Sequence, residues 1–464
     1  MRLGCDHLEN IRRVGEMLGV NRNFDCIERH LSVGGEDVAF FYIDGFIKDA
    51  ELQRVMQQVT SAEKMSSADE MLEKLAYVEV GTLSDVGAIV TAVLSGQTAV
   101  MAAAFSGVAI LIDARTYPAR QTAEPESDRV MQGARDGFVE TLVMNTALIR
   151  RRIRDPKLRM EHFSVGASSH TDVVFCYMEG TADAELVADL KKKIEGIRTS
   201  SLTLGYRSLS ECLVRRGWLN PFPKIRSTER PDTAAAQIME GSVVILCDTS
   251  PQAMILPTSI FDYLQQTDDY YFPPLTGSYL RIVRTAILLL SLFVTPLWYL
   301  ALEYAELLPE ALGFLLPKDP GALPIMLQLL LVELAIDGLK IASMNTPDML
   351  ASSLSVIGAL ILGDFAVTVG WVCADVILYM AFVALANFAQ QNAELGYAIK
   401  FVRVLTLLAV WALGVWGLLV GALSFVFLVA TNRTVTGKHR YLYPLIPFNA
   451  KAMSRLLFRM KKDD

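Results

Sequence analysis

Charged and amide side chains embedded in apolar runs are where this sequence could do chemistry. In LPIMLQLLLVELAIDGLK, Glu333, Asp337 and Lys340 recur at i, i+4 and i+7, so a helix would carry all three on one face. Asp364 is the single charge in MLASSLSVIGALILGDFAVTVGWVCA. Asn387, Gln390 and Gln391 close VILYMAFVALANFAQQNA, with Asn387 and Gln391 spaced i, i+4. Lipid penalises such groups, and two uses offset the penalty. They can line a water-filled passage, where a ring of acidic and amide groups from several copies would favour cations over anions. They can also hydrogen-bond between helices of one copy. Glu333 leads the pore-lining candidates, followed by Asp337, Asp364, Asn387 and Gln391.

A second cluster lies in NTALIRRRIRDP, residues 145–156, where Arg150, Arg151, Arg152 and Arg154 fall within five positions. On a helix, consecutive residues are about 100° apart, so the cluster fans around the axis and cannot form a one-sided stripe for DNA. No aromatic side chains interleave it, so stacking on single strands is unsupported as well. Two readings stay open. The arginines can offset the negative end of a helix that Asp155-Pro156 stops. They can also form a contact between domains or subunits, paired bidentately with carboxylates such as Glu229 or Asp232.

Signatures for enzymatic chemistry are missing. There is no G-x-x-x-x-G-K-[ST], no G-x-G-x-x-G after a strand, no G-x-S-x-G and no H-E-x-x-H. Ser168, His170 and Asp172 are neighbours in sequence, which does not make a triad. Asp262, Asp268 and Asp269 lack metal-loop spacing and read as a solvated turn. The six cysteines form no C-x-x-C pair and read as reduced. No enzyme activity, cofactor or metal is expected. The net charge of −7 argues against nucleic acid as a partner. The start MRLGCDHLEN has no apolar region ahead of its cysteine, so neither a signal peptide nor a lipid anchor is expected.

These residues sit in two different kinds of chain. Up to about residue 279 the sequence is dense in charge; beyond Arg284, long uncharged runs dominate. Roughly 20 apolar residues cross a bilayer, and four spans are expected, at 285–304, 349–373, 376–394 and 404–431. The segment 323–342 reads as an amphipathic or re-entrant helix. Arg281 and Arg284 before the first span, and the basic tail 449–464, belong on the cytoplasmic side by the positive-inside rule, which requires an even number of crossings. Lys400 and Arg403 then fall outside, against the rule. Gly414, Gly417 and Gly421, spaced by three and four, suit close helix packing. The run 86–112 is also uncharged, but Ser-Gly pairs at 95–96 and 106–107 divide it into pieces of strand length, so a soluble hairpin is expected there.

The N-terminal half reads as an α/β region made of two related subdomains, 1–120 and 121–279, ahead of an all-α membrane domain, 280–448. VAFFYI, Asp44-Gly45 and a helical pattern recur as VVFCYM, Glu179-Gly180 and a helical pattern. Asp49-Ala50-Glu51-Leu52 matches Asp183-Ala184-Glu185-Leu186 letter for letter, as a duplication or convergent turn chemistry would leave it.

DGFVETLVMNTALIRRRIRDPKL, PFPKIRSTERPDTAAAQIMEGSVVILCDTSP, DDYYFP and SVIGALILGDFAVTVGW together resemble the A-subunit family of bacterial spore germination receptors, the GerA family. The resemblance runs from about residue 37 to about residue 447. SVGGEDVAFFYIDGFIKD and ILYMAFVALANFAQQNAELGYAIKF are most similar to a stage V sporulation branch of that family. The resemblance implies a multi-pass protein of the spore inner membrane, with its large N-terminal region on the core side. It implies a homo-oligomer, a pentamer in the family view, that releases ions early in germination. It also implies a small membrane partner subunit or other germination proteins, contact with membrane lipids, and amplification of the receptor response. Arg150, Arg151, Arg152, Glu229, Arg230, Pro231 and Asp232 are family-motif residues with a structural or interface role. A non-conducting scaffold and a secondary transporter are the alternatives. One departure stands out: ASMNTPD, 342–348, lacks the family's Arg-x-Pro, so a role carried by that arginine is not expected to transfer, and the segment fits a divergent paralogue better than a nutrient receptor.

Overall fold

The structure is a computed structural model. It describes residues 2–4, 6–47, 49–62, 64, 67–77, 79–115, 128, 130–214, 220–345, 358, 366–390, 392–432, 435 and 441–458. The chain forms two compact units. The first comprises Met1–Arg215, Ile225–Thr258 and Thr434–Lys438; the second comprises Arg216–Lys224, Ser259–Arg433 and His439–Asp464.

The first unit is built of two halves with the same order of elements. Its first half runs α1 (His7–Leu18), β1 (Cys26–Val33), β2 (Glu36–Ile43), α2 (Asp49–Thr60), α3 (Ala68–Lys74), β3 (Val80–Leu83), α4 (Val86–Leu94), β4 (Thr98–Ala102) and β5 (Ala109–Ile112). Its second half repeats that order with α5 (Leu142–Arg152), β6 (Leu158–Val165), β7 (Thr171–Met178), α6 (Ala184–Glu195), α7 (Tyr206–Leu213), β8 (Arg226–Thr228), α8 (Pro231–Met239), β9 (Val243–Cys247) and β10 (Ala253–Leu256). Both sheets are antiparallel and five-stranded, ordered β1-β2-β4-β5-β3 and β6-β7-β9-β10-β8. Helices cover both faces of each. In the first half α1 and α4 bury one face while α2 and α3 bury the other; α5 and α8, then α6 and α7, do the same in the second. The central strands β4 and β9 are therefore buried along their whole length.

Local chemistry fixes the repeat. Gly45 (φ 80°) and Gly180 (φ 86°) follow the second strand of each hairpin in a backbone conformation that glycine adopts without strain. Asp183 caps α6, accepting from the Glu185 and Leu186 amides, while Asp49 opens α2. The repeat also carries a matched polar pair on each hairpin. His30 Nδ1 lies 2.9 Å from Asp37 Oδ2, and His162 Nε2 lies 2.8 Å from Asp172 Oδ1. A hydrogen bond to Glu28, with Asp37 adding to it, raises the His30 pKa above its ordinary value. The uncharged run 86–112 contains the expected hairpin, β4–β5. It also contains α4, a helix that presents Val86, Ile89, Val90, Val93 and Leu94 to the core.

The second unit is helical. The short α9 (Asp268–Tyr271) leads into α10 (Pro274–Glu303), followed by α11 (Ile325–Met344), α12 (Ala374–Phe388), α13 (Ala393–Leu413), α14 (Val415–Thr431) and α15 (Ala450–Leu457). Two of these, α10 and α13, are long and apolar enough to cross a membrane, and α12 and α14 are shorter apolar helices. Most of the expected span 349–373 lies outside the described residues. The run expected as one span, 404–431, is two helices. At Gly414 (φ 55°, ψ −131°) the chain leaves the helix and turns back. α13 and α14 then pack antiparallel: a Cβ at Gly417 would stand 2.0 Å from the Ala409 carbonyl oxygen, and one at Gly421 would meet Thr406 at 2.3 Å. Hydropathy cannot reveal a reversal inside an uninterrupted apolar run; the glycines could.

Candidate intramembrane charge ladder

The segment expected as amphipathic or re-entrant, 323–342, is helical from Ile325 onward, as part of a continuous 20-residue helix, α11, about 30 Å long at 1.5 Å per residue. Its charged stripe is turned to α13. Near the middle of both helices, Arg403 Nη2 donates to both oxygens of Glu333 at 2.8 Å. One turn on, Lys400 Nζ donates to Asp337 Oδ2 and also lies 3.3 Å from Glu333 Oε1. One further turn on, Lys340 Nζ stands 4.6 Å from the centre of the Tyr397 ring. The numbers rise along α11 as they fall along α13, so the helices are antiparallel and each rung is about one turn from the next. The Arg403 Nη1 reaches the Ser291 carbonyl of α10 at 3.4 Å.

Burial sets the energetics. Arg403 is 1% exposed, and Glu333 and Lys400 are 8% exposed. Isolated charges at this depth would be prohibitive, but two carboxylates against two cations leave the two inner rungs neutral. Lys400 is shared between the two acids, bonding Asp337 while it stays within reach of Glu333.

Glu333 and Asp337 are thus brought together, each held by a cation of the same chain. Asp364, Gln391 and residues 346–348 lie outside the described residues. Asn387 is half-buried on the last turn of α12, which ends at Phe388. Gln390 is buried, and neither polar atom of its side chain has a partner among the described residues. Sequence reasoning missed Lys400 and Arg403, which were assigned to the outside. Their i, i+3 spacing, matching the i, i+4 of the two acids, was the available signal.

At the foot of α10 the expected solvated turn is overturned for Asp269. Its side chain is fully buried, accepting from Arg284 Nη1 at 3.0 Å and Nη2 at 3.1 Å and from Arg281 Nε at 3.3 Å. Arg284 also donates to the Leu264 carbonyl at 2.7 Å and to Gln266 Oε1 at 2.8 Å. Asp269 is unlike a metal ligand because the arginines about two and three turns into α10 fold back onto it.

In the first unit the arginines divide by position. Arg150, 0% exposed, reaches out of the second repeat to Asp25 of the first, with Nε to Oδ2 at 2.9 Å and Nη2 to Oδ1 at 3.0 Å. The bidentate domain contact exists, but its acid is Asp25, not Glu229 or Asp232. Beside it the Cys26 thiol is pushed up to about 12, by burial first and by Asp25 second. Arg152 bonds Asp136 at 2.6 Å and the Leu148 carbonyl at 3.0 Å, serving the helix end as well. Arg151 is exposed. In the second motif, Arg230 pairs with Asp232 at 3.0 and 2.7 Å and donates to the Ala134 carbonyl at 2.9 Å. Pro231 opens α8, and Glu229 accepts from Gln252 at 2.8 Å. This motif anchors the connection between the repeats.

Comparison with known proteins bears on what this arrangement serves. The family model described as Bacillus/Clostridium GerA spore germination protein matches residues 14–463. Stage V sporulation protein AF of Bacillus subtilis (strain 168) is 35% identical over 450 residues, covering 96% of this chain and 90% of that one. Spore germination protein KA of the same organism is 26% identical over 454 residues, covering 95% and 82%. Among solved structures, the N-terminal domain of the A subunit of the Bacillus megaterium spore germinant receptor GerK3 aligns with a TM-score of 0.42 and 22% identity, covering 55% of this chain and 96% of that one. A family model that spans nearly the whole chain identifies this protein as a member of the GerA family of spore germination proteins.

Proposed function

We propose that the chain is a subunit of a homo-oligomeric, gated cation channel that releases ions early in spore germination and amplifies the response of the germinant receptors. In this reading it sits in the spore inner membrane with its N-terminal unit on the core side, as a ring of several copies working with a small membrane partner subunit. Membership of a germination family and relatives named as germination and sporulation proteins support the setting. The observation that carries the reading is the buried Glu333–Arg403–Lys400–Asp337 network near the middle of α11 and α13. Ionisable residues at such depth characteristically mark ion pathways. With Glu333 occupied by Arg403, a cation reaches the carboxylate only when a rung exchanges, which supplies a closed state and a means of opening.

The capping of Glu333 within one chain also suits a second reading, a non-conducting scaffold whose ladder is structural. The mass of the detergent-solubilised complex, with and without co-expressed partners, tests the ring: several copies support a shared passage, and a monomer contradicts it.

A further inference from the structure

The last described segment of the second unit has a surface that neither the ladder nor the family motifs use. The Tyr441 carbonyl accepts from the Ile260 amide at 2.9 Å. Residues 442–448 then form successive turns that leave Tyr443, Ile446 and Phe448 exposed. Asn449 caps α15 through the Ala452 amide at 3.1 Å, and the Leu456 carbonyl meets Arg281 Nη1 at 3.4 Å. This foot is therefore tied to α10 close to its start, at the level where Leu275 and Tyr279 project outward, 85% and 63% exposed.

Three observations converge on one kind of partner. First, the exposed groups are aromatic and aliphatic, and α10, to which the foot is bonded, exposes Leu275, Tyr279, Ile282, Leu289 and Leu290 along one side. Tyrosines at such a boundary suit the headgroup layer. Second, Lys451 is exposed beside Phe448 and has no acidic partner among the described residues, although the whole chain carries a net charge of −7. Third, in the short helix Ala452, Met453, Ser454 and Leu456 are half-buried while Lys451 is exposed, so the cation is left free to meet an interface.

We propose that this foot, 443–458 with the start of α10, is a docking surface for anionic phospholipid. Phe448, Ile446, Tyr443 and Tyr279 enter the headgroup boundary, and Lys451 pairs with a lipid phosphate. The surface deepens the membrane assignment made above and does not depend on ion conduction.

The test uses the full chain in nanodiscs of phosphatidylcholine alone or mixed with phosphatidylglycerol, read by hydrogen exchange of peptides covering 441–458. Exchange of these peptides is expected to slow about fivefold with the anionic lipid. The Lys451→Glu and Phe448→Ser variants should each lose most of that slowing while the α13 peptides keep the exchange of the parent protein. Equal exchange in the two nanodiscs overturns the proposal. So does slowing by soluble glycerol phosphate alone, which would indicate a phosphate pocket instead of a lipid surface, and so does full slowing in both variants. Since no flux is measured, this result and that for the channel are separable.

Discussion

Replacing Glu333 by leucine removes both 2.8 Å bonds from Arg403, leaving that guanidinium 1% exposed with one carbonyl contact at 3.4 Å. Lys400 keeps Asp337, so one positive charge is stranded in the apolar layer. Losing one partner of a buried pair costs about 3–5 kcal/mol in soluble proteins, and the insertion cost of a charged side chain at mid-membrane is about 3 kcal/mol. An effect of about 3 kcal/mol is the consistent expectation. Arg403→Leu should cost less, because Glu333 retains Lys400 at 3.3 Å. The double variant leaves a neutral seam of similar volume and should recover about 2 kcal/mol relative to the summed single effects. The assay is a double-mutant cycle on unfolding of the detergent-solubilised protein. Additive single effects, or Arg403→Leu more damaging than Glu333→Leu, would refute the ladder as described.

Asp25→Ala strands Arg150 between the repeats and should cost about 3–5 kcal/mol in denaturant unfolding of the first unit, whereas Arg151→Ala should stay within about 0.5 kcal/mol. Gly417→Ala drives a Cβ to 2.0 Å from the Ala409 carbonyl and should lower the melting temperature far more than Gly396→Ala, whose Cβ enters open space. Because His30 has a raised pKa in the folded chain, its contribution is fully present below the ordinary histidine value, about 6.5, and is lost as pH rises through the raised one. His30→Gln should accordingly flatten the pH profile of stability across that window.

The repeated strand, turn and helix were legible because capping and turn residues are local: Asp-Ala-Glu-Leu and the Gly after each second strand fix backbone conformation within a few positions. The helical layer over each sheet was less so. Val86–Leu94 lacks the polar face that marks an amphipathic helix, since it buries Val86, Ile89, Val90, Val93 and Leu94. The charge sites show the same limit. The stripe of Glu333, Asp337 and Lys340 follows from helical spacing, but which cations meet it depends on how α13 packs 60 to 70 residues later. Arg150 found its acid 125 positions upstream, and Asp269 was misread because local spacing says nothing of arginines folding back from α10. Local rules placed the charged residues on their elements; tertiary packing decided whether each was solvated or paired.

Conduction itself is the most direct test. Purified protein with its partner, reconstituted in liposomes under a potassium gradient, should pass cations on triggering, and Glu333→Gln should change the flux while the oligomer remains assembled. No flux from assembled protein, or flux indifferent to Glu333, Asp337 and Lys400, would contradict the channel and leave the scaffold reading.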